Sequence, residues 1–229
     1  MIYLDNSETT IPDPSVVQSF QKTIEAYVSN PSSIHPLGGT SEKLLETARN
    51  QAASILEVEP KEIIFTSGGS EGNNMAIKGI ALEHQNRGKH IITSAIEHPS
   101  VEEACFSLEK LGFEITVLPV DRNGVVNVDD VKRAVREDTI LVSIMHVNNE
   151  IGSIQPIKEI GMFLREFPKL YFHVDAVQGF GKVPLSIKDA HIDLCTLSGH
   201  KFHGLKGTGI LYVNKRTVLF PISHGGGQE

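Results

Sequence analysis

The tetrapeptide Ser198-Gly199-His200-Lys201 follows the apolar run 192–197, which places a lysine at the end of a strand-like segment. An amine held there can condense with a carbonyl if its surroundings favour the neutral form or a cofactor supplies the electron sink. A second apolar run, 170–174, delivers an acid at its carboxyl end, Asp175 of Val174-Asp175-Ala176-Val177-Gln178. Lys206 is a rival amine, but it lies among glycines in 204–209 rather than directly after a strand, so Lys201 is preferred.

An anion site accompanies this pair. Residues 63–66 read as a strand, Ser67-Gly68-Gly69-Ser70 as a turn, and the residues from Gly72 onward as a helix. The unpaired N–H groups and dipole of a helix start attract a phosphate. Gly69 lets the backbone come close, and Ser70 adds a hydroxyl donor. Ser198 and His200, flanking the lysine, are further phosphate donors, and His98 in Glu97-His98-Pro99 is placed to stack on a flat ring. Pyridoxal phosphate asks for this set: a lysine for its aldehyde, a carboxylate for its protonated ring nitrogen, and a phosphate cradle.

The elements that must position these groups alternate along the chain. Helical spacing predicts helices over 15–27, 41–56 (opened by a Ser41 cap), 72–87, 101–111 and 157–167. Short apolar runs predict strands at 63–66, 90–94, 114–119, 139–145, 170–174, 192–197 and 209–213. The alternation predicts an α/β fold, a mainly parallel central sheet with helices on both faces. In such sheets ligands sit beyond the carboxyl ends of the strands, where Asp175, Asn148 and 198–201 would gather. Lys110, Lys132, Arg133 and Arg136 read as solvated helix faces.

Several function classes are disfavoured. A net charge of −7 argues against direct nucleic-acid binding. No apolar run reaches the length that spans a bilayer, so no membrane partner is expected. The two cysteines, Cys105 and Cys195, fall in apolar segments and read as structural rather than reactive. His200, His203 and His224 lack a carboxylate or thiolate partner, so no metal site is expected. The low cysteine count and the lack of an export signal point to the cytoplasm. A dinucleotide-binding domain would need a Gly-x-Gly-x-x-Gly turn after a first strand, and none occurs.

The chain resembles the cysteine desulfurases, the NifS/IscS-like branch of the class V aminotransferases. The resemblance rests, in order, on Tyr3-Leu4-Asp5-Asn6-Ser7-Glu8-Thr9-Thr10, Asn30-Pro31-Ser32-Ser33-Ile34-His35, Thr66-Ser67-Gly68-Gly69-Ser70-Glu71 and Glu97-His98-Pro99. It continues in His146-Val147-Asn148-Asn149-Glu150-Ile151-Gly152, the Asp175 and Lys201 segments, and Gly225-Gly226-Gly227-Gln228-Glu229. It implies a large domain of fold type I, the pyridoxal-phosphate-dependent transferase fold, over 15–229 after an N-terminal segment 1–14. Lys201 would hold the Schiff base, Asp175 pair with the ring nitrogen, and Asn148 and Gln178 lie near the ring's phenolic oxygen. His98 would stack on the ring and shuttle protons; Ser70, Ser198 and His200 would bind phosphate. The family usually has threonine at Ser70 and a small residue at Glu8.

The implied function is conversion of L-cysteine to L-alanine by a homodimer, with sulfur passed to a sulfur-acceptor protein as a persulfide. Relatives are longer, and the small C-terminal domain with the nucleophilic cysteine loop is absent from this chain. Cofactor binding with little or no turnover is therefore expected. Selenocysteine lyase, another class V aminotransferase, and an inert cofactor-binding or assembly fragment are the alternatives.

Overall fold

The computed structural model describes residues 2–226. Two helices, α1 (Pro14–Ala26) and α2 (Pro36–Leu56), precede seven strands that form one sheet. The strands are β1 (Ile63–Thr66), β2 (His90–Ser94), β3 (Glu114–Leu118), β4 (Thr139–Met145), β5 (Tyr171–Asp175), β6 (Leu194–Ser198) and β7 (Gly209–Val213). Their order is β1-β7-β6-β5-β4-β2-β3. Pairing is parallel from β3 through β6, while β7 runs antiparallel to both β6 and β1. The carboxyl ends of β1 to β6 therefore share one edge.

All residues of β2, β4 and β6 are buried, the condition of a parallel sheet covered on both faces. On one face α3 (Gly69–His84) and α4 (Pro99–Glu109) press Ile77, Ile80, Val101 and Leu108 against Ile91 and Leu141. On the other, α5 (Val128–Ala134) and α6 (Ile157–Leu164) bring Val131, Ile160 and Leu164 against Val142, Phe172 and Val174. Several polar side chains inside this sheet are paired. The His173 ring bridges Ser143 Oγ, 2.8 Å from Nδ1, and Thr196 Oγ1, 2.9 Å from Nε2, across three strands. Burial pushes that imidazole down to about 3, so it is a neutral cross-link.

Three helices start alike, with a side-chain acceptor followed by proline: Asp13-Pro14, His35-Pro36 and His98-Pro99. Proline suits the first helical position, where an N–H would have no partner anyway. This corrects the expected α2 start. His35 Nδ1 accepts from Gly38 N–H at 3.3 Å, so the helix opens at Pro36, and Ser41 is an interior residue whose buried hydroxyl has no partner among the described residues. Gly38 is needed there because a Cβ would lie 2.1 Å from the Ser33 carbonyl oxygen. Other differences are that the helix expected over 72–87 runs Gly69–His84, that β6 begins at Leu194 and that 128–134 forms a short helix. No residue of α1 is buried, and Val17, Phe20 and Ile24 stand 45%, 51% and 57% exposed.

Candidate active site

Five chain reversals meet at the carboxyl edge of the sheet. β5 ends in Asp175; β6 ends in Ser198 and turns at once into the 3-10 segment Gly199–Lys201. β2 leads through Glu97 to His98, the N-cap of α4, and β4 leads through Met145 to Asn149. β1 leads through Gly68, at φ +152°, into the first turn of α3, where Gly69 and Ser70 lie. A cleft of about 210 Å³ is lined by Lys201, Asp175, His98, Ser70, Ser198 and His200, together with Gly69 and Gln178.

Asp175 is 5% exposed. Its Oδ1 accepts the Val177 N–H at 3.0 Å and its Oδ2 the Asn73 amide at 2.7 Å. Burial raises its pKa, while those two hydrogen bonds and the nearby His98 and Lys201 pull it down. Glu97, next to His98, is more strongly affected. Its Oε1 takes the Met145 N–H at 3.0 Å and the Ser94 hydroxyl, while its Oε2 is buried without a partner among the described residues. Burial pushes this carboxyl up to about 8 against those two bonds, with the charge of Asp175 adding to the rise.

The N-terminal segment closes one side. Thr10 donates its N–H and its hydroxyl to the His200 carbonyl, both at 2.8 Å, and His200 Nδ1 lies 3.1 Å from Thr9 Oγ1. Burial, then Lys201 and Lys206, lower the His200 pKa. The Lys201 ammonium donates to the Ser7 carbonyl at 2.5 Å and the Glu8 carbonyl at 2.8 Å, and Gln178 Nε2 donates to Ser7 at 2.8 Å. Glu8 itself lines the cleft.

Residues 2–229 match the model of the family described as aminotransferase class-V. The chain belongs to the class-V aminotransferase family. Among its relatives in that family, it is 50% identical over its whole length to cysteine desulfurase IscS of Dictyoglomus turgidum, covering 58% of that protein. It is 51% identical to cysteine desulfurase IscS of Methanosarcina thermophila, covering 56%. A solved NifS-like protein superposes with a TM-score of 0.96 at 40% identity over 99% of this chain and 62% of that one. SspA, solved in complex with cysteine, gives 0.95 at 40% identity over 100% of this chain and 66% of that one. The chain thus spans less than two thirds of the length of these relatives. Its mostly parallel sheet is theirs.

Within this class-V frame, Asn148 is the one expected cleft residue that the fold directs elsewhere. Its Nδ2 donates to the Ile96 carbonyl at 2.8 Å, and its Oδ1 accepts from the Glu150 and Ile151 N–H groups at 2.9 Å. Asn149 lines the cleft instead. Lys206 is exposed and outside the lining. Cys105 and Cys195 are buried in opposite halves of the core, and burial pushes the Cys105 thiol up to about 12 and that of Cys195 higher. Gly227, Gln228 and Glu229 of the glycine-rich segment lie outside the described residues. Among the described residues no three His, Cys, Asp or Glu side chains gather as a metal site, and no helix is long and apolar enough to cross a membrane. The lining residues not foreseen include Asn73, Ser100 and Met145.

Proposed function

We propose that this cleft binds pyridoxal 5′-phosphate and that the chain is the cofactor-binding part of a cysteine desulfurase. One observation carries the reading: a buried carboxylate, Asp175, and an amine, Lys201, line the same small cleft as a glycine-opened helix start. The residues fit the group. A Cβ on Gly69 would lie 2.9 Å from Val177 Cγ2, so only glycine leaves that wall of the cradle open. Ser70, Ser198 and His200 offer donors beside it for a phosphate. When bound, the cofactor supplies an aldehyde for the lysine and a ring that takes up a substrate carbanion's electrons.

The chain's own groups would then divide the work. Asp175, fixed by Val177 and Asn73, holds a proton at the ring nitrogen by charge. Lys201, released from the Ser7 and Glu8 carbonyls, moves the proton at the substrate's α-carbon. His98 covers the ring face. L-Cysteine is the substrate on this reading, supported by the cysteine complex of SspA; L-alanine is one product, and sulfur goes to an acceptor protein. Neither Cys105 nor Cys195 lines the cleft, and both thiols are held protonated by burial. The thiolate that takes sulfur therefore comes from outside these residues. A cytoplasmic homodimer completes the proposal.

The test is the visible absorption of the purified chain with added pyridoxal phosphate. A band that shifts on adding L-cysteine and is lost in Lys201→Ala supports the reading, as does weaker binding in Asp175→Asn. A band unchanged by Lys201→Ala overturns it. Little or no sulfide release is expected from the 229 residues alone.

A further inference from the structure

Asp175 and His98 are joined by an unbroken set of hydrogen bonds through Asn73, which fixes Asp175, and Ser100, which has no role so far. Asn73, 1% exposed in the second turn of α3, has its Nδ2 2.7 Å from Asp175 Oδ2 and 2.9 Å from Ser100 Oγ. An ionised carboxylate only accepts, so the carboxamide must turn its –NH₂ inward, and both protons are engaged. The Oδ1 is left buried with no partner among the described residues, as that orientation requires. The Ser100 hydroxyl, accepting from Asn73, has its own proton available and lies 2.7 Å from His98 Nδ1. The backbone N–H of Ser100 lies 3.1 Å from the same nitrogen. A backbone N–H can only donate, so Nδ1 carries no proton and a neutral His98 bears its proton on Nε2.

We propose that Asn73 and Ser100 are positioning residues that hold His98 in the Nε2–H tautomer and tie its ring to the charge of Asp175. Capping of α4 alone does not call for this arrangement, because the Ser100 N–H satisfies the cap without any contribution from Asn73. Sequence separation makes the link a tertiary one: Asn73 lies 27 residues from Ser100 and 102 from Asp175. A ligand in the cleft then meets a fixed donor at His98 and a fixed acceptor at Asp175. The functional meaning rests on the pyridoxal phosphate reading, whereas the bond chain belongs to the protein itself.

The experiment uses the cofactor-free chain labelled with ¹⁵N-histidine, with the His98 signals assigned by their loss in His98→Gln. Above the ordinary histidine range, Nδ1 is expected at the position of an unprotonated ring nitrogen and Nε2 at that of a protonated one. Ser100→Ala shifts the Nδ1 signal toward that of a weaker acceptor, and Ser100→Thr, which keeps the hydroxyl, restores it. Asn73→Ala shifts it in the same direction by less, from two links away. Asn73→Asp, which draws the Ser100 hydroxyl to itself, reproduces Ser100→Ala. A proton on Nδ1, or a His98 signal indifferent to every folded Asn73 variant, overturns the proposal. If the Asn73 variants do not fold, the Ser100 pair decides, and equal signals in Ala and Thr overturn it. In a second arm, the dissociation constant for pyridoxal phosphate rises about tenfold in Asn73→Ala, the loss expected for one hydrogen bond to a charged group. Failure of the unsubstituted chain to bind pyridoxal phosphate would sink the cofactor reading and leave the tautomer result standing on its own.

Discussion

At the carboxyl ends of the parallel strands the cleft measures about 210 Å³, while a groove of about 1030 Å³ opens at their amino ends beneath Tyr171 and Asp193. The larger one also holds more charge, including Glu59, Glu62, Lys215 and Asp193. There, however, those groups have structural partners. Glu59 pairs with Lys61 at 3.1 Å and with Lys215, Glu62 accepts the Glu59 and Lys215 N–H groups at 2.9 Å, and Asp193 accepts the Phe172 N–H at 2.9 Å. Among the described residues, Asn73 Oδ1 in the small cleft and Oε2 of Glu97, the neighbour of the lining residue His98, have no partner, and the Lys201 amine is held by main-chain carbonyls. Bonding capacity left open in a desolvated place, rather than volume, separates the site from the groove.

The hardest way to break this comparison is through the core that both ends share. Phe172, 1% exposed on β5, is among the largest fully buried side chains. Phe172→Ala is expected to lower stability by about 3–5 kcal/mol, since the cavity it leaves adds to the lost transfer energy. Denaturant unfolding measures that loss. Pyridoxal phosphate affinity of the folded variant should stay unchanged; a parallel fall in affinity would show that the two ends are not separable.

A pH-dependent effect concerns Glu97. A carboxyl raised from 4.5 to about 8 keeps its proton in the fold while the unfolded chain has already lost it. Stability therefore falls as pH rises from 4.5 to about 8, by up to about 1.4 kcal/mol per pH unit. Glu97→Gln, neutral at every pH, removes this slope, so the variant should be the more stable protein above pH 8 and similar below 4.5. Thermal unfolding across that range checks it. Parallel curves would mean that the Glu97 carboxyl is open to solvent and that the cleft is no drier than the groove.

Much of this contrast was legible in the residues. Lys201, Asp175 and His98 were readable because each ends a strand or begins a helix, and a strand end fixes where a side chain is delivered. Strand β4 was readable over its full length because its residues are uniformly apolar or small, as two-sided burial demands. The direction of β7 was not, since 209–213 reads the same from either end and only the partner strands decide. Ser41 looked like a helix cap because its type is right, yet His35-Pro36 starts the helix earlier. Asn148 and Asn149 are adjacent and chemically identical, so the type of residue gave no way to tell which one turns into the loop. Asn73 and Ser100 matter through bonds to distant residues, which no local pattern displays.

The finest test applies the same amide substitution at the opposite end of the sheet. Asp193 is largely buried, and burial raises its carboxyl from 3.8 to about 6 against the Phe172 N–H bond. The sign is that of Glu97, with stability lost as pH rises from 3.8 to about 6, but the window is narrower and so the total loss is smaller. Asp193→Asn keeps an oxygen to accept the Phe172 N–H, so the bond between β5 and the start of β6 survives and only the pH slope disappears. Urea unfolding at pH 4 and pH 7 should differ less for the variant than for the parent, with the slope that Glu97 contributes remaining in both. Cofactor affinity is expected to be untouched, because Asp193 lies at the far end of the strands from Lys201. Were Asp193→Asn to weaken pyridoxal phosphate binding while sparing stability, the groove would share in the chemistry and the division between the two ends would fail.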